Sequence, residues 1–275
     1  MRRGSLTVLG ARGSNPTPGA AFAKYGGHTT SLALPLRETT LLIDAGTGVV
    51  PFGARLLGSP EAPRRVDWVF THFHLDHVVG LPAFAPLYRE EFRVSVYLPA
   101  ERMEDGRRAL ERIASPPYYP VGWDRMEARI TFHPLPERLE IEDVAITHAP
   151  LRHPGGALAY RLDGPVGSAV LATDTEHPES GIDEGLLALC SGAGVILYDA
   201  QYDAFEYEAH RGWGHSTWEA GARLAEGAGA RRLVLVHHNP EREDGGMDRL
   251  VQEARRRFAG AEAAREGMTI PVARS

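Results

Sequence analysis

The chain has 275 residues, enough to bury a substantial core in one domain. Its formal net charge is −6 and Lys24 is its single lysine, so the dense basic stripe of a protein that grips long nucleic acid is missing and long nucleic acid is not expected as a partner. A lone Cys190 excludes a disulfide framework; no apolar run reaches the length of a membrane span and "MRRGSLTVLG" has no signal-peptide core, so a cytoplasmic protein without membrane contact is expected.

Short apolar runs alternate with turns at the start. "SLTVLG" reads as a strand, "GARGSNPTPG" as a Gly/Pro-rich loop, and "TTSLALPL", "TTLLIDAGTG" and "VDWVFTH" as further strands. Helices are expected over "LPAFAPLYREEF" and over "ERMEDGRRALERIAS", where Met103, Leu110 and Ile113 recur at helical intervals. "PPYYPVGW" reads as a loop. Strands resume with "ARITFHPL", "VAITHAPL", "LAYRLD", "SAVLATD" and "GVILYDAQY", with a short helix around "IDEGLLALC" before the last. A helix, "TWEAGARLAEGAG", and a strand, "RRLVLVHH", follow. The final helix, "MDRLVQEARRRFAG", puts Leu250, Val251, Ala254 and Phe258 on one face, and "MTIPVARS" reads as a weakly held tail. Strands interleaved with helices, with no repeat or linker, favour a single layered α/β domain over 1–275 with helices covering a pair of sheets.

Chemistry concentrates in "THFHLDH". In extended chain His72 and His74 point to one side, and where the strand gives way to a turn Asp76 and His77 can swing to the same side. Imidazole with carboxylate suits zinc, and also iron or manganese, while the lack of thiolates argues for an open catalytic site over a closed structural one. Three more metal-capable residues stand just beyond apolar runs: His153, Asp174 and His237. His238 competes with His237, but neighbours on a strand face opposite ways, so at most one reaches the metals. Ser216 and Glu219 have capping-box spacing, which makes Ser216 the expected N-cap of the next helix and leaves His215 just outside it, beside backbone N–H groups that favour an anion.

The sequence resembles the metallo-β-lactamase superfamily: "THFHLDH" matches its metal-binding signature, and "DAGTG", "HPGG", "TDTEH" and "LVLVHHNP" follow in the family's order. It is similar in particular to the ribonuclease Z and cyclic phosphodiesterase branch, through "GHSTWEAGARLAEGAGARRLVLVHH". The resemblance implies a four-layer αββα sandwich with two divalent metal ions, zinc first and manganese or iron alternatively, at one edge of the sheets. It implies His72, His74 and His153 on one metal, Asp76, His77 and His237 on the other, and Asp174 between them. Asp44 would brace the metal loop, and His148 would play a structural or supporting part. Glu176 and His177 would support the ligands or simply form a turn.

These expectations add up to hydrolysis by a bimetal-bridged hydroxide steered by Asp76, with His215 serving the leaving oxygen. Arg12, Trp213 and Ser216 are candidate substrate contacts, and Tyr118, Tyr119 and Trp123 are further aromatics able to stack on a base. Ribonuclease Z carries a long inserted arm, whereas only a short stretch separates His153 from Asp174 here. A small or cyclic nucleotide-type phosphodiester is therefore the expected substrate, and a homodimer is compatible with the resemblance. The alternatives are a hydrolase of a thioester, lactone or β-lactam, and a catalytically silent metal-binding or sensor protein.

Overall fold

The computed structural model describes residues 3–272. Six strands come first: β1 (Ser5–Gly10), β2 (Ser31–Pro35), β3 (Thr40–Ile43), β4 (Arg65–Val69), β5 (Arg93–Leu98) and β6 (Arg129–Pro134). Seven follow: β7 (Arg138–Ile141), β8 (Val144–Leu151), β9 (Ala157–Gly164), β10 (Gly167–Ala172), β11 (Val195–Asp199), β12 (Arg232–Val236) and β13 (Ala261–Ala263). The last strand, β14 (Thr269–Pro271), returns to the first sheet and pairs antiparallel with β1. The two sheets run β14-β1-β2-β3-β4-β5-β6 and β13-β12-β11-β10-β9-β8-β7.

The strands are apolar on both faces because both faces are covered. In β11, Val195 and Leu197 face the other sheet, as do Leu171 of β10 and Val234 of β12 beside them, while Ile196 and Tyr198 face outward to a helical layer. Likewise Leu41 and Ile43 of β3 point into the space between the sheets and Leu42 points out. Helices α1 (Val49–Leu57), α2 (Leu75–Val78) and α3 (Met103–Ile113) belong to the first half, and Phe52, Leu56 and Leu110 cover the outer face of the first sheet. Helices α4 (Glu184–Cys190), α5 (Ala204–Ala209), α6 (Trp218–Gly227) and α7 (Asp244–Arg257) follow; Leu186, Leu224 and Leu250 cover the second. The result is the expected αββα sandwich. No helix among the described residues is long and apolar enough to cross a membrane.

Several local expectations fail for identifiable reasons. "LPAFAPLYREEF" forms two short 3-10 turns, Leu81–Ala83 and Ala85–Tyr88, because Pro82 and Pro86 each withhold an N–H that a continuous helix needs, and β5 begins directly after it. α1 was masked in sequence by Pro51 and Gly53, yet Pro51 lies in its first turn, where no N–H is lost, and Gly53 admits the ring of Phe84. α5 carries an Asp203/Glu206 capping box, but at six residues it is too short for a helical period to show in the sequence. "MTIPVARS" is not loose: Thr269, Ile270 and Pro271 pair with β1, and Val272 is buried, while residues 273–275 lie outside the described residues. The cap of α6 is Thr217, whose Oγ1 accepts from the Ala220 N–H, and not Ser216.

Candidate metal centre

Strands β3 to β6 run parallel, as do β10 to β13, and the polar residues gather where these strands end. Asp44 follows β3, His72 lies just beyond β4, His153 sits in the β8–β9 turn, and Asp174 and His237 follow β10 and β12. Asp44, Asp174 and His237 all adopt left-handed backbone, with φ of 58°, 57° and 58°. Asp and His tolerate that region better than most residues, and here it turns each side chain out of the strand's alternation into the space between the sheet ends. It also decides between the adjacent histidines. His237 Nε2 lies 3.2 Å from both Asp76 Oδ2 and Asp174 Oδ1, whereas His238 is buried on the other side against the Ala264 carbonyl, 2.9 Å from its Nε2.

The donor atoms fall into two adjoining sets. One comprises His72, His74 and His153, and the other Asp76, His77, Asp174 and His237; within each set the atoms lie within 4.8 Å of one another. Asp174 stands between them: its Oδ1 is 3.7 Å from His72 Nε2 and 3.8 Å from His153 Nε2, and its Oδ2 is 3.1 Å from His77 Nε2. The residues fit divalent cations on a specific observation. His72 Nε2 is sealed from solvent and makes no hydrogen bond, a costly condition for a ring nitrogen unless its lone pair serves a metal.

The opposite ring nitrogens of His72, His77, His153 and His237 are engaged, as is usual for metal-binding histidines. His77 Nδ1 donates to Asp44 Oδ2 at 2.9 Å, and His72 Nδ1 lies 3.1 Å from Thr71 Oγ1, which itself donates to Asp44 Oδ2 at 2.8 Å. Asp44 also accepts the Thr71 N–H at 2.7 Å, so one buried carboxylate braces a histidine of each set. Burial pushes the Asp44 carboxyl up, yet it faces three donors and no acceptor, which is the setting of a carboxylate. His153 Nδ1 donates to the Gly214 carbonyl at 2.9 Å, and His237 Nδ1 to Gln201 Oε1 at 2.7 Å.

Charge in the centre is strongly polarised. Burial, reinforced by His77, pushes His72 well below its ordinary value, and burial also lowers His74 and His153. Burial opposes charge on His77 and His237 too, but the facing aspartates outweigh it, raising His77 well above its usual range and His237 to about 9. Asp174 is held well below the usual carboxylate range despite burial, by His237, His77 and His72. The cluster thus gathers positive charge from its own imidazoles, as a site built for cations does.

The remaining candidates divide. His215 lies at the rim of the centre: its Nδ1 donates to Asp199 Oδ2 at 2.9 Å and its ring stacks on His237 at 4.7 Å. Asp199 also accepts the N–H groups of Asp174, Gln201 and Ser216, so it ties three parts of the site together. Trp213 is 61% exposed, two residues before His215, with its ring edge-on to His210. Ser216 is fully buried, and its hydroxyl is engaged by His177 Nδ1 and the Tyr198 hydroxyl. It is a packing and orienting group, not the N-cap or an exposed contact. Arg12 is likewise corrected. It is buried, and its guanidinium donates to the carbonyls of Gly26, Asn239 and Arg242, latching the first loop to the segment after His238. Trp123 stacks on Phe132, and Tyr118 packs with Arg112 of α3, so neither lines the centre. His148 Nε2 donates to the Pro136 carbonyl, a structural role.

Asp199, Gln201, Gly13 and Ser14 were not singled out in the sequence. Asp199 ends the apolar run "GVILYD" as Asp174 ends "SAVLATD", so the same signal was available for it. The others had none. Ser14 N–H donates to Asp76 Oδ2 at 2.8 Å, and a Cβ on Gly13 would stand 2.2 Å from His237 Nδ1. Glu176 does more than form a turn: its carboxylate accepts the N–H groups of Gly212 and Gly214 and the Tyr207 hydroxyl, holding the segment that leads to His215.

Fold and donor set together define a metal-dependent hydrolase. A family model described as the beta-lactamase superfamily domain matches residues 39–238, and the chain belongs to that superfamily. It is similar to a ribonuclease Z of Lacticaseibacillus casei strain BL23, 25% identical over 92% of this chain and 93% of the relative. Among solved structures it is similar to a diphosphatase of the PhnP family, with TM-score 0.68, 21% identity and coverage of 97% of this chain and 96% of that one. It is also similar to the short form of human tRNase Z, with TM-score 0.67, 18% identity and coverage of 98% and 99%. The exclusion of long nucleic acid drawn from overall charge does not stand, because a relative aligned along nearly the whole chain is a ribonuclease. Net charge sums the entire surface, whereas a polynucleotide touches only part of it.

Proposed function

We propose that the chain hydrolyses phosphodiesters with two divalent metal ions, zinc in the first instance, held by His72, His74 and His153 and by Asp76, His77 and His237, with Asp174 shared. When bound, such ions supply Lewis-acid charge and lower the pKa of water. The chain's own residues do the rest. Asp76, kept in place by the Ser14 N–H, orients the attacking water. His215, whose Nδ1–H is fixed on Asp199, presents Nε2 to the leaving oxygen and delivers its proton there.

The single observation carrying this reading is the buried Asp199–His215 pair beside the two donor sets. A leaving alkoxide needs such a proton donor, whereas the thiolate of a thioester leaves without one. A small nucleotide-type phosphodiester, cyclic or linear, is the first reading of the substrate, supported by the short β9–β10 hairpin that occupies most of the interval between His153 and Asp174. An RNA is the second, favoured by the similarity to ribonuclease Z over most of the chain.

The test is to assay metal-loaded protein on bis-p-nitrophenyl phosphate, a cyclic nucleotide, a short RNA, a thioester and a β-lactam. Phosphodiester cleavage that falls by about 10²–10⁴ in His215→Ala, with metal content unchanged, is the expected result. Acyl hydrolysis alone, or full phosphodiester turnover by His215→Ala, would sink the proposal.

A further inference from the structure

Beside His153 lies a cleft of about 550 Å³, lined among others by Arg152, Glu176, His177, Tyr207 and Arg211. That volume is far more than one phosphate fills and lies within the range of small-molecule sites. The two arginines arrive from separate parts of the chain. Arg152 immediately precedes His153, and Arg211 lies in the segment, clamped by Glu176, that leads to His215. The backbone of both is therefore held close to residues of the reacting centre.

Each guanidinium keeps N–H groups in reserve: among the described residues Arg152 bonds through Nε alone and Arg211 through Nε and Nη2. Arg152 Nε is 3.4 Å from Asp183, whose carboxylate already caps α4 by accepting the Leu186 N–H. Arg211 makes a bidentate pair with Glu208 of α5, through Nη2 at 2.8 Å and Nε at 3.1 Å, on side chains that are 47% and 64% exposed. Solvent screens both pairs, and a doubly charged phosphate is a strong acceptor for the N–H groups they leave unused. The acid inside the cleft does not tie up the arginines, since Glu176 is anchored by two backbone N–H groups and the Tyr207 hydroxyl. The lining thus holds two arginines and two carboxylates, Glu176 and the exposed Glu179.

We propose that this cleft is a subsite for a second phosphate group, next to the phosphodiester that is cut, taken by Arg152 and Arg211. The preferred substrate is then a linear nucleotide phosphodiester carrying a further phosphate, whereas a cyclic mononucleotide would leave the subsite unused. The inference rests on the phosphodiesterase reading above and adds the substrate class to it.

The experiment compares kcat/KM for a thymidine dinucleotide without a terminal phosphate and for its 5′- and 3′-phosphorylated forms, with bis-p-nitrophenyl phosphate measured alongside. One phosphorylated form should be preferred by about tenfold or more. The preference should shrink in Arg152→Ala and in Arg211→Ala and approach one in the double variant. Equal kcat/KM values in the wild type, or a preference that survives the double substitution, overturns the subsite. Should the metal-loaded protein cleave no phosphodiester at all, the proposed reaction fails separately, and binding decides the subsite. Thymidine 3′,5′-bisphosphate should bind the wild type about tenfold or more tightly than the double variant, and equal affinities would refute it.

Discussion

Replacing Asp44 by asparagine keeps the side chain's size and removes one acceptor oxygen from a buried group that faces three donors. If the amide oxygen stays on the Thr71 N–H, the amide NH₂ takes the position of Oδ2, 2.9 Å from His77 Nδ1. His77 must then either keep a proton pointed at a donor, at about 1–3 kcal/mol for an unpaired buried group, or move that proton to Nε2. Nε2 is the atom 3.1 Å from Asp174 and 3.3 Å from Asp76, and protonating it closes it to a metal. The flipped amide instead strands the Thr71 N–H at a similar cost. Every arrangement costs either stability or the ligand. The expected outcome is an affinity for the ion at His77 lowered about 10–100-fold, with metal-free stability reduced by about 1–3 kcal/mol if the tautomer is retained. Chelator competition with zinc, metal analysis of the purified protein and urea unfolding of the metal-free form measure these. An Asp44→Asn protein with wild-type metal affinity and wild-type stability would refute the bracing role.

Gly13→Ala should lower zinc affinity while leaving the far-ultraviolet circular dichroism unchanged, because the new methyl would meet His237 Nδ1 at 2.2 Å and Gln201 Oε1 at 2.8 Å; wild-type loading would show that the loop yields freely. His237 sits at about 9 in the absence of metal, so zinc binding at pH 7 should release protons, seen by calorimetry in buffers of different ionisation enthalpy, and affinity should fall as pH drops from about 9. The same raised value stabilises the metal-free fold fully below the unfolded histidine's pKa of about 6.5. That contribution, up to ~3 kcal/mol, is lost as pH rises through about 9, and a flat profile from pH 6 to 9.5 would contradict it. Thr217→Ala should cost about 1 kcal/mol in urea unfolding through loss of the α6 cap, and Thr217→Ser should recover most of it; no loss in the alanine variant would reassign the cap.

Much of the centre was legible because metal ligands obey local rules. His72, His74, Asp76 and His77 sit within one strand-to-helix turn, and His153, Asp174 and His237 each close an apolar run, so residue type and position were enough to nominate them. Arg12 misled for an equally physical reason. A glycine-rich loop with an arginine looks like a phosphate cradle, but whether that arginine faces solvent depends on what the segment after His238 lays over it. Ser216 misled because serine and threonine in adjacent positions offer the same capping chemistry, and only the backbone path selects Thr217.

By itself the sequence determined the layered α/β class and the donor types, since strand and helix periods and the preference of imidazole and carboxylate for divalent ions are properties of short segments. Tertiary structure alone decided the rest. The left-handed turns at Asp44, Asp174 and His237, the choice of His237 over His238, and the bracing of histidines by Asp44, Gln201 and the Gly214 carbonyl depend on strands brought together from distant parts of the chain. The pairing of β14 with β1 has the same origin: a three-residue strand carries too little pattern to announce itself and forms because a neighbour already offers its edge.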